Sequence, residues 1–267
     1  MVGYLGRIIG GLWFISLIQG CAQLPAESQP AIYGGQKTKA GDWDNTVAIT
    51  KNGYIYCSGT IIHPRLVITA AHCINGVNQM KGIHVYMGNG SSNRKVSPNY
   101  PVARGFRNPK YGADNEWQFD VAFLEMAEDL PIDPAKITSI LYQPEEIETL
   151  LQVGKTSTIV GFGFREDDGV GEKYQAVLPM IALDDNEIHM GGQGLDSCNY
   201  DSGGPAFAQL PNGEWRFFGV VSRGLHANCG EGGIWGMMHH HLCWLKKASR
   251  VQLDIDLSCD QAGSADD

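Results

Sequence analysis

The chain has 267 residues and a formal net charge of −9, from 20 basic and 29 acidic side chains. It holds no basic run, so composition gives no support to a nucleic-acid partner. The length allows one large domain or two small ones. Thirty-four glycines and only 18% charged residues suit an all-β protein with many turns.

Residues 1–20 read as an export signal. Arg7 supplies positive charge, and Ile8 to Ile18 forms an apolar core that is short for a membrane span. The segment ends Leu17-Ile18-Gln19-Gly20-Cys21, which resembles the bacterial lipoprotein box. That resemblance implies acylation of Cys21 and a lipid anchor in a membrane. The alternative is an ordinary signal cleaved nearby, which leaves Cys21 free. Lipidation is favoured because the seven cysteines are an odd number, and it leaves six to pair. The expected location is outside the cytoplasm: a bacterial membrane-anchored lipoprotein, or a periplasmic or extracellular protein after release, where disulfides persist. Residues 21–31 contain two prolines and no core of their own, and read as a lipidated tether or pro-segment.

Short strand-like runs follow: Val47–Thr50, Tyr54–Cys57, Thr60–Ile62, Leu66–Ile68, His84–Met87 and Val121–Leu124. Runs of this kind between turn residues suggest a barrel or sandwich, read here as six strands closing into one barrel. Residues 131–155 form a proline-containing connector, with a helical turn near Glu145–Glu148. A second series comprises 157–163, 174–178, 205–208, 215–222 and 233–237, with Pro211-Asn212-Gly213 as a hairpin turn. Residues 239–250 look helical, with Leu242, Leu245 and Ala248 near one face. Residues 251–267 read as an acidic tail.

Three stretches carry chemistry. Asp196-Ser197-Cys198-Asn199-Tyr200-Asp201-Ser202-Gly203-Gly204-Pro205 presents a serine between an aspartate and two glycines. Thr69-Ala70-Ala71-His72-Cys73 offers a histidine, and Asp120 opens the run Val121–Leu124. A serine hydroxyl becomes a good nucleophile when a histidine takes its proton and a carboxylate orients that histidine. Singly, Ser202 reads equally well as a turn serine and His72 as a core histidine. Jointly, in the order His72, Asp120, Ser202, the stretches resemble the trypsin and chymotrypsin family of serine peptidases, from about Ile32 to Lys247.

That resemblance implies two six-stranded antiparallel β-barrels, at 32–140 and 141–238, with a C-terminal helix at 239–250. It implies catalysis by His72, Asp120 and Ser202, with the backbone N–H groups of Tyr200 and Ser202 as the oxyanion hole. Asp196 falls at the floor of the primary specificity pocket, Gly224 and Gly233 on its walls, and Ser222 on the strand that pairs with substrate. The implied substrates are proteins or peptides with Lys or Arg. Bridges are implied for Cys57–Cys73 and Cys198–Cys229, which leaves Cys243 and Cys259 as the remaining pair. Closing the first of these loops contributes about 3 kcal/mol in the chain-entropy model. Ile32-Tyr33-Gly34-Gly35 matches the family's activation site, where cleavage frees an amine that pairs with the aspartate before the nucleophile, here Asp201. Cleavage before Ile32 would also cut the lipid tether and release the domain.

Four departures qualify the resemblance. Tyr33 replaces a small aliphatic residue at the activation site. Ala31 replaces the usual basic residue, so self-activation is not expected. Tyr200 stands where glycine is usual, which implies a strained or flipped peptide, a crowded leaving-group side, or a loop that makes room. Arg223 replaces a tryptophan, which implies polar or acidic preferences at neighbouring subsites. A catalytically impaired homologue acting as a binding module is therefore the alternative function. No cofactor or metal is expected. His239-His240-His241 reads as a solvated helix start, and the loop at Met87–Gly90 lacks paired acidic ligands. A monomer is expected.

Overall fold

The computed structural model describes Met1, Gly3 and residues 32–75, 80–113 and 117–259. The signal segment, Cys21, the tether and residues 260–267 lie outside the described residues. The described residues form thirteen strands: β1 (Gln36–Lys37), β2 (Thr46–Lys51), β3 (Tyr54–His63), β4 (Leu66–Thr69), β5 (Ile83–Tyr86), β6 (Tyr100–Arg107), β7 (Ala122–Met126), β8 (Thr156–Gly161), β9 (Tyr174–Leu183), β10 (Glu187–Met190), β11 (Pro205–Gln209), β12 (Trp215–Gly224) and β13 (Gly233–Met237). The first barrel closes in the order β2-β3-β4-β7-β6-β5. The second runs β9-β10-β13-β12-β11-β8 and closes by the β8–β9 pairing, with β1 added at the edge of β9. All named pairs are antiparallel, and closure removes exposed sheet edges.

The first barrel has the expected six strands, but not from the six expected runs. The runs at 54–57 and 60–62 are one strand, because Ser58 and Gly59 continue the extended backbone rather than turn it. The sixth strand is β6, whose sequence Tyr-Pro-Val-Ala-Arg-Gly-Phe-Arg hides under a proline and a glycine. Pro101 is the second residue of β6, opposite His84 in the short β5–β6 ladder, and its carbonyl accepts from the Ala127 N–H at 3.0 Å. In the second barrel the five expected runs are joined by β10, a four-residue strand bridging β9 and β13. The hairpin at Pro211-Asn212-Gly213 is present, closed by Leu210 N–H to the Glu214 carbonyl at 2.8 Å. The expected helical turn is α1 (Pro144–Leu150).

The terminal helix is shorter than the sequence implied. A 3₁₀ turn occupies Met238–His241, and α2 spans Leu242–Ala248 with Leu242 and Leu245 buried. Residues beyond it are not simply a tail. Val251, Leu253, Ile255 and Leu257 alternate with polar residues and pack on the first barrel's core. Lys246 Nζ holds this strap by donating to the Ile255 and Leu257 carbonyls, each at 2.9 Å. The histidine run is also not a solvated helix start. Only His240 is exposed, while His241 is 1% exposed with its Nε2 unpartnered.

Burial pushes the His241 pKa down to about 3, and the neighbouring His240 and His239 push the same way. Because the folded value lies below the unfolded one, this group takes stability away as pH falls from about 6.5. Replacing His241 with leucine is expected to flatten the acid limb of the thermal-unfolding profile. The difference between variant and parent should grow by about 3 kcal/mol between pH 6.5 and pH 4. A pH-independent difference would show that His241 is not held neutral.

Candidate active site

His72 lies in a one-turn 3₁₀ helix, Ala71–Ile74, directly after β4. The start of any helix leaves backbone N–H groups without partners. The His72 N–H finds Asp120 Oδ1 at 2.9 Å, and its ring Nδ1 meets Asp120 Oδ2 at 2.7 Å. One carboxylate thus fixes both the backbone and the ring. A carboxylate can only accept, so Nδ1 carries the proton and Nε2 is left as the acceptor. Asp120 sits just before β7 and is 3% exposed. The Ser222 hydroxyl donates to its Oδ2 at 2.7 Å. From the other side, the Cys57–Cys73 disulfide and a hydrogen bond from the Tyr56 hydroxyl to the Cys73 carbonyl hold the histidine turn.

Ser202 approaches from the second barrel. Its carbonyl accepts from the Ser58 N–H at 2.8 Å, and Cys73 Sγ lies 3.6 Å from the same oxygen. Gly203 then passes the first barrel so closely that a Cβ would lie 2.1 Å from Thr69 Oγ1, at φ +80°. Only glycine fits there, and this contact seats the serine against the histidine turn. Among the described residues no hydrogen bond joins the Ser202 hydroxyl to the His72 ring. Such bonds are commonly long without substrate and tighten when it binds.

Ser202 also lines a cavity of about 240 Å³ with Asp196, Cys198, Ser222, Arg223 and Gly224. Asp196 is 1% exposed, and its Oδ2 accepts from the Gly230 and Gly232 N–H groups at 3.2 and 3.1 Å. Burial raises its pKa to about 6, against the pull of backbone donors. A Cβ on Gly233 would come within 2.9 Å of its Oδ1, so a side chain there would crowd the carboxylate. The Cys198–Cys229 disulfide spans the cavity wall. Cys243–Cys259 ties α2 to the strap.

Asp201 is 1% exposed and accepts from Gly163 N–H at 2.7 Å and Cys198 N–H at 2.9 Å. Burial raises its pKa to about 7. Ile32, 1% exposed, lies in the second barrel's core with Leu141 and Ile159. Its φ is +46°, an outlier for a β-branched residue.

Tyr200 holds φ +77°, as the departure from glycine implied. Its ring packs at a tilt against Phe164, with centroids 5.3 Å apart, and the Arg94 guanidinium lies 4.5 Å from its centroid. Arg223 is met by Glu187 through two hydrogen bonds, at 2.6 and 2.8 Å. That pairing balances the charge expected to attract acidic substrate groups. Glu187, Arg94 and the Ser222 hydroxyl's bond to Asp120 carried no readable signal in the sequence, because each acts only through contacts distant along the chain. Among the described residues, the one cluster of potential metal ligands is His72 with Cys57 and Cys73, whose sulfurs are joined to each other and offer no thiolate.

Two closed six-stranded antiparallel barrels with a short C-terminal helix make up the chymotrypsin fold. Residues 32–240 match the Trypsin family, and the chain belongs to that family. It is 28% identical over 248 residues to ovochymase of Halocynthia roretzi, covering 82% of this chain and 15% of that protein. It is 28% identical over 240 residues to transmembrane protease serine 9 of Rattus norvegicus, covering 79% of this chain and 21% of that protein. Phenoloxidase-activating factor 3 of Holotrichia diomphalia is 29% identical over 262 residues, covering 82% of this chain and 73% of that protein. The chain thus spans only a small part of the first two of these relatives and most of the third.

Proposed function

We propose that the chain is a serine endopeptidase that cleaves after Lys or Arg and is made as a precursor activated by cleavage before Ile32. The observation that carries this reading is the joint placement of Ser202, Asp196 and Ser222 on one cavity, with the Ser222 hydroxyl bonded to the Asp120 carboxylate that holds His72 twice. A cationic side chain in that cavity would bring the buried carboxyl of Asp196 its missing counter-charge. The scissile carbonyl would then lie at Ser202. Ser202 attacks as Nε2 of His72 takes its proton. Asp120 stabilises the imidazolium, and His72 returns the proton to the leaving amine. The N–H groups of Tyr200 and Ser202 would receive the developing negative oxygen, each such donor contributing about 3 kcal/mol.

The activation step rests on Asp201 and Ile32. In the uncleaved chain Asp201 is buried with backbone donors and no cationic partner among the described residues. Ile32 is already interior and its φ is strained. Cleavage would supply the ammonium and release that torsion together. The lipid anchor on Cys21 and export from the cytoplasm belong to the same proposal. Mass spectrometry of the membrane-bound protein would show the acyl mass on Cys21, and release after cleavage would show the tether's role.

The binding-module alternative draws on Tyr200, a residue with a side chain held at φ +77° where glycine is usual, and on Arg223. The deciding experiment inserts a specific protease site before Ile32, cleaves it, and assays Arg and Lys amide substrates with Ser202→Ala as control. Hydrolysis that requires both cleavage and Ser202 supports the peptidase. Tight peptide binding without hydrolysis supports the module.

The specificity has its own test. Asp196→Ser is expected to lower kcat/KM for Arg and Lys substrates by about 10³-fold or more, while hydrolysis after uncharged residues survives. Because the empty carboxyl titrates near 6, KM for Arg substrates should rise as pH falls below that value in the parent only. Unchanged Arg preference in the variant would remove Asp196 from the specificity pocket.

A further inference from the structure

Tyr200 is an unexpected residue in a strained conformation, and the surrounding side chains are arranged to keep it there. Its ring lies against Phe164 on one face, at 5.3 Å and 46° between planes. The Arg94 guanidinium caps it 4.5 Å from the ring centroid. Arg94 is anchored in turn, its Nη1 donating to the Ile55 carbonyl at 3.3 Å and its backbone N–H to the Ser91 carbonyl at 2.8 Å. The backbone on both sides of Tyr200 is pinned as well. The Asn199 carbonyl accepts from the Phe164 N–H at 3.0 Å, and the Tyr200 carbonyl accepts from the Ser58 hydroxyl at 3.0 Å. The Asn199 carbonyl and the Tyr200 N–H share one planar trans peptide and point opposite ways. Fixing the carbonyl on Phe164 therefore aims the N–H away from it.

We propose that Arg94 is a positioning residue for the oxyanion donor, clamping the Tyr200 ring onto Phe164 so that the Tyr200 backbone keeps the left-handed conformation that aims its N–H. This rests on the peptidase reading above for its catalytic consequence. Glycine would reach the same torsion unaided. In this chain the torsion is held by a cation over an aromatic face, an interaction that strengthens where water is excluded. Arg94 comes from the first barrel's loop after β5, so the clamp also couples the two barrels at the reaction centre.

The test is a double-mutant cycle of Arg94→Ala and Tyr200→Gly in the chain cleaved before Ile32, read by steady-state kinetics on an Arg amide and by thermal unfolding. Arg94→Ala is expected to lower kcat about tenfold with little change in KM, the size expected for losing one half-buried cation–π contact. Arg94→Lys should recover part of the loss. In the Tyr200→Gly background the same Arg94→Ala change should leave kcat within twofold and should no longer lower Tm. An equal kcat loss with and without Tyr200 would overturn the proposal, since Arg94 would then act on something other than this ring. So would an active parent whose kcat ignores Arg94→Ala. If the cleaved parent hydrolyses nothing, the peptidase reading fails and the clamp is decided by Tm alone. A Tm loss confined to the Tyr200 background supports it, and a loss independent of Tyr200 overturns it.

Discussion

Exchanging Ser202 for alanine in the chain cleaved before Ile32 is expected to lower kcat on Arg amides by about 10⁶-fold. His72→Ala should cost nearly as much, and the double variant no more than the worse single one. The reasoning is geometric. Asp120 spends one oxygen on the His72 N–H and the other on Nδ1, so the ring has a single tautomer and a single orientation. The Ser222 hydroxyl, also on Oδ2, supplies a further donor to the buried carboxylate. Ser202 is seated by Gly203 against the histidine turn. Groups so arranged act as one unit, and their losses cannot add. Rate losses that multiply in the double variant would mean that His72 and Ser202 serve separate steps. Residual hydrolysis in all variants should be similar, set by the oxyanion donors and the binding cavity.

Cleavage before Ile32 is expected to raise the Tm of the folded chain, and Asp201→Asn to abolish both that rise and the gain in activity. The sign follows from the buried carboxyl. In the precursor its pKa is raised by burial to about 7, above the unfolded value, so its contribution to stability is present at low pH and lost as pH rises from about 4 to 7. In the cleaved chain the new ammonium favours the ionised form, and that loss disappears. The Tm difference between cleaved and intact protein should therefore grow through this window and level off above it. Breaking one side of a buried ion pair typically removes about 3–5 kcal/mol. Buried His241 is common to both forms and cancels in the difference. Cleaved protein with an unchanged or lower Tm at pH 8 would show that the amine does not reach Asp201.

The two six-stranded barrels and the terminal helix were legible in the sequence, while the strand boundaries that build them were not. Three local stretches around His72, Asp120 and Ser202 marked the candidate site, because a reacting group imposes its residue types on its immediate neighbours, and the structure brings His72 onto Asp120 and the Ser202 backbone onto the histidine turn. Strand boundaries were obscured where local chemistry disagrees with tertiary need. Ser58 and Gly59 look like a turn, yet Ser58 must stay extended to bond both Ser202 and Tyr200 of the other barrel. Pro101 and Gly105 mask β6, which is held by its pairing with β7. The strap after α2 carries a local pattern, since Val251, Leu253, Ile255 and Leu257 recur with period two, but the polar residues between them, Asp254 and Asp256 among them, give the appearance of an acidic tail. The Arg223–Glu187 pair and the Arg94 cap were not readable at all. Each joins residues remote along the chain, and a lone Arg or Glu in a loop has no local pattern.

The most direct measurement of the central claim is active-site titration of the chain cleaved before Ile32 with an arginyl ester that deacylates slowly, followed by intact and peptide mass spectrometry. The account predicts a burst of one equivalent per chain and an acyl adduct on Ser202, absent in Ser202→Ala and weakened in Asp196→Ser. A correctly folded, cleaved chain that forms no adduct, or forms one on another residue, would contradict it.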